Sequence, residues 1–117
     1  MRHQKKKNSL GLKTAPRKAL LINLAESLVL HEKIKTTGAK ARVLRSFVEK
    51  LVTKSKKSDL ATRRRLLSTV RSENVVKKLL EVIGPRYKTR AGGYTRITKL
   101  DSRRVGDNVE EVIIEFV

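Results

Sequence analysis

The sequence contains no cysteine and no tryptophan, and only two tyrosines and two phenylalanines among its 117 residues. Without cysteine, disulfides and thiolate metal sites are excluded, which fits a reducing compartment. With so few aromatic rings, the core must be aliphatic. Long apolar runs are missing too. The longest uninterrupted one, Ala19 to Ile22, has four residues, against roughly 20 needed to span a bilayer. No continuous apolar segment follows the basic start, so a secretion signal is not expected. A cytoplasmic protein without membrane insertion is the expectation.

Acidic residues are the next scarcity. Eleven Asp and Glu stand against 29 Lys and Arg, a formal charge of +18. The imbalance is also uneven. Arg2, Lys5, Lys6, Lys7, Lys13, Arg17 and Lys18 all precede the first acid, Glu26, whereas the segment from Asp107 onward has Glu110, Glu111 and Glu115 and no cation. A small domain with this charge repels itself unless a polyanion neutralises it. Nucleic acid, an anionic membrane surface and acidic proteins are the candidate partners.

Catalytic chemistry finds little purchase. The two histidines, His3 and His31, show no partner spacing for a metal. Glu110 and Glu111 are adjacent, so a strand points them to opposite faces, and two-metal chemistry needs convergent carboxylates. Neither a phosphate-binding loop nor a dinucleotide fingerprint is present. No enzyme activity, cofactor or small-molecule substrate is expected.

What the chain does have is periodic apolar spacing within the size of one domain. Residues 1–14 read as a basic extended arm and 15–117 as one globular domain. The first helix should start at Thr14 as N-cap, with Pro16 in its first turn. Leu20, Leu21, Leu24, Ala25 and Leu28 then recur at helical spacing. "HEKIKTT" reads as a short strand. The clearest helix is "GAKARVLRSFVEKLVTKSKK", with Val43, Leu44, Phe47, Val48, Leu51 and Val52 on one stripe. A third helix starts at Ser58 or Asp59. A fourth starts at Ser72, lines Val76, Leu79, Leu80 and Ile83, and should stop at Gly84 and Pro85. After that the period becomes two. "YTRITKL" and "VEEVIIEFV" read as strands of an antiparallel hairpin. The expected fold is α/β of the α+β type, with about three strands packed against about four helices.

The stretch "GPRYKTRAGGYTRITKL", residues 84–100, gathers five cations, both tyrosines and a glycine pair without one acid. Arginine grips phosphate bidentately, and glycine lets a backbone approach closely. Tyr87 and Tyr94 can stack on unpaired bases; Tyr94 reads equally well as a core residue at the start of a strand. Further cations are spread along the chain as candidate phosphate contacts: Lys5, Lys6, Lys7, Lys13, Lys18, Lys35, Lys40, Arg63 and Arg64. A DNA-compacting protein fits the charge, but no helix-turn-helix register or dimerising heptad is visible. A membrane-surface helix would want interfacial Trp and Phe, which are lacking.

The chain resembles the bacterial large-subunit ribosomal protein L-seventeen family. The matching pieces run in order: "MRH", "RKALLINLAESLVLHEKIKTT" at 17–37, "AKARVLRSFVEKLVTKSKK" at 39–57, "ENVVKKLL" at 73–80, the 84–100 stretch, and "GDN" at 106–108. The Arg-x-Gly-Gly-Tyr-Thr-Arg element at 90–96 is the most specific. The resemblance implies a non-enzymatic structural constituent of the large subunit. Its partners would be ribosomal RNA near the polypeptide exit region and neighbouring ribosomal proteins. It further implies RNA contacts from the arm and the Gly-Gly-Tyr loop, at Arg2, His3, Arg17, Arg86, Arg90, Gly92, Gly93, Tyr94 and Arg96. The chain departs from the family at Pro16 and Ile22, where many members carry His and Arg.

Overall fold

A computed structural model describes residues 9–117. The expected arm contacts at Arg2, His3, Lys5, Lys6 and Lys7 lie outside the described residues. Within them the order is α1 (Thr14–His31), β1 (Lys33–Thr37), α2 (Gly38–Ser55), α3 (Leu60–Val70), α4 (Glu73–Lys78), β2 (Thr95–Arg103) and β3 (Glu110–Phe116). It is an α+β fold with a three-stranded antiparallel sheet, as the periodicities indicate.

Helix α1 begins slightly earlier than expected. Lys13, not Thr14, is the extended residue before it, and it makes no side-chain cap. Pro16 therefore sits third in the helix, still among the first residues whose N–H groups have no intrahelical partner. Its far end closes at Glu32, a left-handed residue (φ 63°) whose N–H donates to Leu28 C=O at 2.7 Å. Helix α3 is capped by Asp59, whose carboxylate accepts from the Thr62 N–H at 2.8 Å. That bond holds the Asp59 carboxyl below its usual pKa.

The fourth helix differs most from expectation. Gly84 and Pro85 do not stop it. Helix α4 runs on through a π-helical segment, Leu79–Ile83, into a last helical turn, Gly84–Arg86. Gly84 is right-handed (φ −55°). Its glycine serves packing: a Cβ there would stand 2.3 Å from the Ser55 carbonyl at the end of α2. Pro85 falls at the start of the new turn, where its missing N–H is not needed. The helix ends at Tyr87.

In the sheet the order is β1-β3-β2, so the last strand lies in the middle. Register sets Ile34, Ile114 and Ile97 side by side. Val112, Ile114 and Phe116 are buried on one face. Ala41, Leu44, Val48, Leu51 and Val52 of α2 join them in the core with Ala25, Leu28 and Val29 of α1. Leu66, Val70, Val75, Val76, Leu79, Leu80 and Ile83 complete it. Strand β2 extends to Arg103 through an irregularity after Lys99, into residues expected to be loop.

Candidate nucleic-acid interface

The segment between the last helical turn and β2 carries the residues singled out above, and its tyrosines hold it in place. Tyr87 and Tyr94 are 4% and 1% exposed, with ring centroids 5.2 Å apart. Tyr87 also lies 6.2 Å from the Phe116 ring. The Tyr87 hydroxyl donates to the Val117 carbonyl at 2.6 Å, and the Val117 N–H donates to the Tyr94 carbonyl at 2.9 Å. From α2, Glu49 Oε1 accepts from the Tyr94 N–H at 3.0 Å, and just past its end the Lys56 ammonium lies 4.8 Å over the Tyr94 ring. Lys56 also donates to the Arg90 carbonyl, which accepts from the Tyr94 hydroxyl at 3.2 Å. The Lys56 ammonium and the Thr53 hydroxyl hold the Tyr94 phenol below its usual pKa.

Expected base stacking by the two tyrosines is therefore corrected: both rings belong to the core. For Tyr94, burial decides for core packing.

Pinned at both ends, the loop presents Lys88, Thr89, Arg90, Ala91, Gly92 and Gly93 to solvent. Arg90 Nε donates to the Gly92 carbonyl at 3.1 Å. Among the described residues the N–H groups of Ala91, Gly92 and Gly93 have no acceptor. Gly93 is left-handed (φ 63°), a conformation glycine adopts freely. Gly92 has no positive φ, and a Cβ there, as at Gly93, would meet nothing within 4 Å. Beside it runs a groove of about 420 Å³ lined by Ser46, Glu49, Lys50, Thr53 and Lys54 of α2 with Gly92 and Tyr94. Lys50 and Lys54 make no ion pair among the described residues.

Two of the expected arginines are occupied within the fold. Arg86 pairs with Glu32, which Lys78 Nζ also approaches at 3.4 Å. The Arg86 hydrogen bond holds the Glu32 carboxyl below the usual range. Arg96 donates to Glu115 Oε1 from Nη2 at 2.8 Å and Nε at 3.2 Å, and this lowers the Glu115 pKa. Strand β3 is thus no separate acidic surface. Glu115 lies between Arg96 and Lys33 of its neighbours, and Lys99 Nζ is 3.7 Å from Glu110.

The other expected contacts do not line the loop's groove. Lys13 and Lys18 are exposed and Arg17 half-buried at the start of α1; Lys35 points outward from β1; Lys40 is half-buried in the first turn of α2; Arg63 and Arg64 are exposed on α3. Conversely, Lys50, Lys54 and the anchor Glu49 were not singled out from sequence. Their one legible sign was spacing, because Ser46, Lys50, Thr53 and Lys54 recur at three and four residues on one side of α2. Among the described residues no group of three or more His, Cys, Asp and Glu could hold a metal. No helix among them is long and apolar enough to cross a membrane.

An aliphatic α+β core, a strong excess of cations and a braced glycine loop define a small, strongly basic α+β protein. Residues 20–117 match the family model described as Ribosomal protein L17. Over 117 residues the chain is 50% identical to the large ribosomal subunit protein bL17 of Sulfurihydrogenibium sp. (strain YO3AOP1), covering 100% of this chain and 97% of that protein. It is 49% identical to the protein of that name from Hydrogenobaculum sp. (strain Y04AAS1), covering 100% and 99%. Against the one from Rickettsia canadensis (strain McKiel) the identity is 48%, covering 100% and 85%. The chain belongs to the ribosomal protein L17 family, as the resemblance implied.

Proposed function

We propose that this chain, by family a structural protein of the large ribosomal subunit, binds the RNA of that subunit, and that the 88–93 loop and the facing side of α2 form a principal contact. The observation that carries this is Gly92. The fold itself would tolerate a side chain there, since a Cβ would meet no atom within 4 Å, so a bare backbone at that position serves a neighbour outside the chain. Three unpartnered N–H groups and the Lys50 and Lys54 ammonium groups surround it, a set of donors and charge suited to phosphate oxygens.

Neutralising phosphates with lysine and arginine releases condensed counterions, so binding should weaken steeply with salt. Arg90 adds a planar donor beside Gly92. Arg86 and Arg96 act mainly by fixing the loop's two flanks to Glu32 and Glu115. The arm residues Arg2, His3, Lys5, Lys6 and Lys7 and the cations Lys13, Arg17, Lys18, Lys35, Lys40, Arg63 and Arg64 supply further contacts to the same polyanion. Placement in the cytoplasmic ribosome near the polypeptide exit region, beside other large-subunit proteins, belongs to this reading. A tagged copy should co-sediment with the large subunit through a sucrose gradient at moderate salt. The purified protein should prefer large-subunit ribosomal RNA to duplex DNA of equal length. A tagged copy that stays out of the subunit, or equal affinity for the two nucleic acids, overturns the reading.

A further inference from the structure

A second and larger groove, of about 580 Å³, opens between α1, α2 and α3. Its walls are apolar: Ala15, Ala19 and Ile22 of α1 line it with Phe47 of α2. Phe47 is only half-buried, in a chain whose other phenylalanine and both tyrosines are in the core. Two cations complete the lining, Lys18 and Arg71, and no carboxylate does. Arg71 is the left-handed residue that closes α3. The Ser68 and Thr69 hydroxyls donate to the Arg65 carbonyl at 2.7 and 3.0 Å, so their lone pairs remain free to accept.

The groove and the proposed RNA surface are both lined in part by α2. Phe47 stands three and seven residues before Lys50 and Lys54, hence on the same stripe of α2. A strand whose phosphates rest on those lysines would reach the groove by following α2 to Phe47. An apolar slot with an aromatic wall, hydroxyl acceptors and a cationic lining suits a nucleotide: the ring stacks, its edge donates to the hydroxyls, and its phosphates meet the cations. An apolar peptide would fill the walls but leave Lys18 and Arg71 without a counter-charge.

We propose that the groove between α1, α2 and α3 receives one unstacked base of the bound RNA strand, with Phe47 as its stacking partner and Lys18 and Arg71 on the flanking phosphates. This rests on the RNA-binding reading above. The test is ultraviolet cross-linking of large subunits that carry this protein, followed by mass spectrometry of its peptides. Nucleotide adducts are expected within residues 15–22, at Phe47 or within 68–71. Adducts confined to the 88–93 loop and the Lys50–Lys54 stripe overturn the proposal, as does a protein cross-linked into the groove instead. In parallel, Ala19→Trp fills the groove from an exposed position. It should weaken binding of purified large-subunit RNA about tenfold, the worth of one stacked base, while the salt dependence stays the same. Unchanged affinity in that variant overturns the groove proposal and leaves the RNA reading standing. Failure of the unsubstituted protein to bind that RNA overturns the reading itself.

Discussion

Glycine plays opposite parts at two positions. At Gly84 the fold forbids a side chain, because a Cβ would stand 2.3 Å from a backbone oxygen of α2. Gly84→Ala should therefore destabilise the protein by about 1–3 kcal/mol, the usual cost of overpacking, read as a lower midpoint in urea unfolding. At Gly92 the fold is indifferent, so Gly92→Ala should leave that midpoint unchanged and weaken RNA binding roughly tenfold, or about 1.4 kcal/mol. Unchanged binding in that variant would remove Gly92 from the interface. Tyrosine gives a third case. Tyr87→Phe keeps the ring and loses the 2.6 Å bond to Val117, a change worth about 1 kcal/mol. Residue types alone singled out this loop but not the structural part each residue plays in it. Two tyrosines beside arginines look the same in sequence whether they stack on a base or brace a core. Only the burial supplied by Glu49, Lys56 and Phe116, all distant in the chain, separates the two.

At the scale of elements, α2 joins core and surface. Leu44, Val48, Leu51 and Val52 are buried, and another side carries Lys50 and Lys54 into the groove beside Gly92. Lys50→Ala and Lys54→Ala should each reduce the slope of log affinity against log salt by about 0.9, if each ammonium neutralises one phosphate. The measurement is a titration of RNA at several salt concentrations. A 3.6-residue period over a long segment is a strong local signal, which is why this helix was readable to within a few residues. The π-helical segment was not, because nothing in "LLEVI" differs from an ordinary apolar helix face. Gly84, which follows it, packs against the Ser55 carbonyl at the end of α2, a contact made across the fold. Likewise, that the 88–93 loop lies against α2 is a tertiary fact held by Glu49 and Lys56, and no spacing within either segment encodes it.

Over the whole molecule, hydrogen-bonded carboxylates decide how acid acts. Glu32, Asp59, Asp107 and Glu115 all titrate below their ordinary values, Asp107 at about 2 through its hydrogen bond with Arg104. A carboxylate whose pKa is lower folded than unfolded stabilises the fold above the unfolded pKa, near 4, and loses that contribution as pH falls through the folded value. All four share one sign, so thermal stability should decline as pH drops from about 5 towards 2. Raising salt should partly restore it, since protonating the acids leaves the cations unopposed. Melting followed by circular dichroism at several pH and salt values checks this; a midpoint indifferent to pH over that range would contradict it. The sheet's strand order has its own consequence for how the chain is made. Strands β1 and β2 both hydrogen-bond to β3 and not to each other, and β3 follows both in sequence. A nascent chain emerging from its N-terminal end can coil its helices early, yet it has no sheet until that third strand arrives to bridge two edges that have been waiting apart.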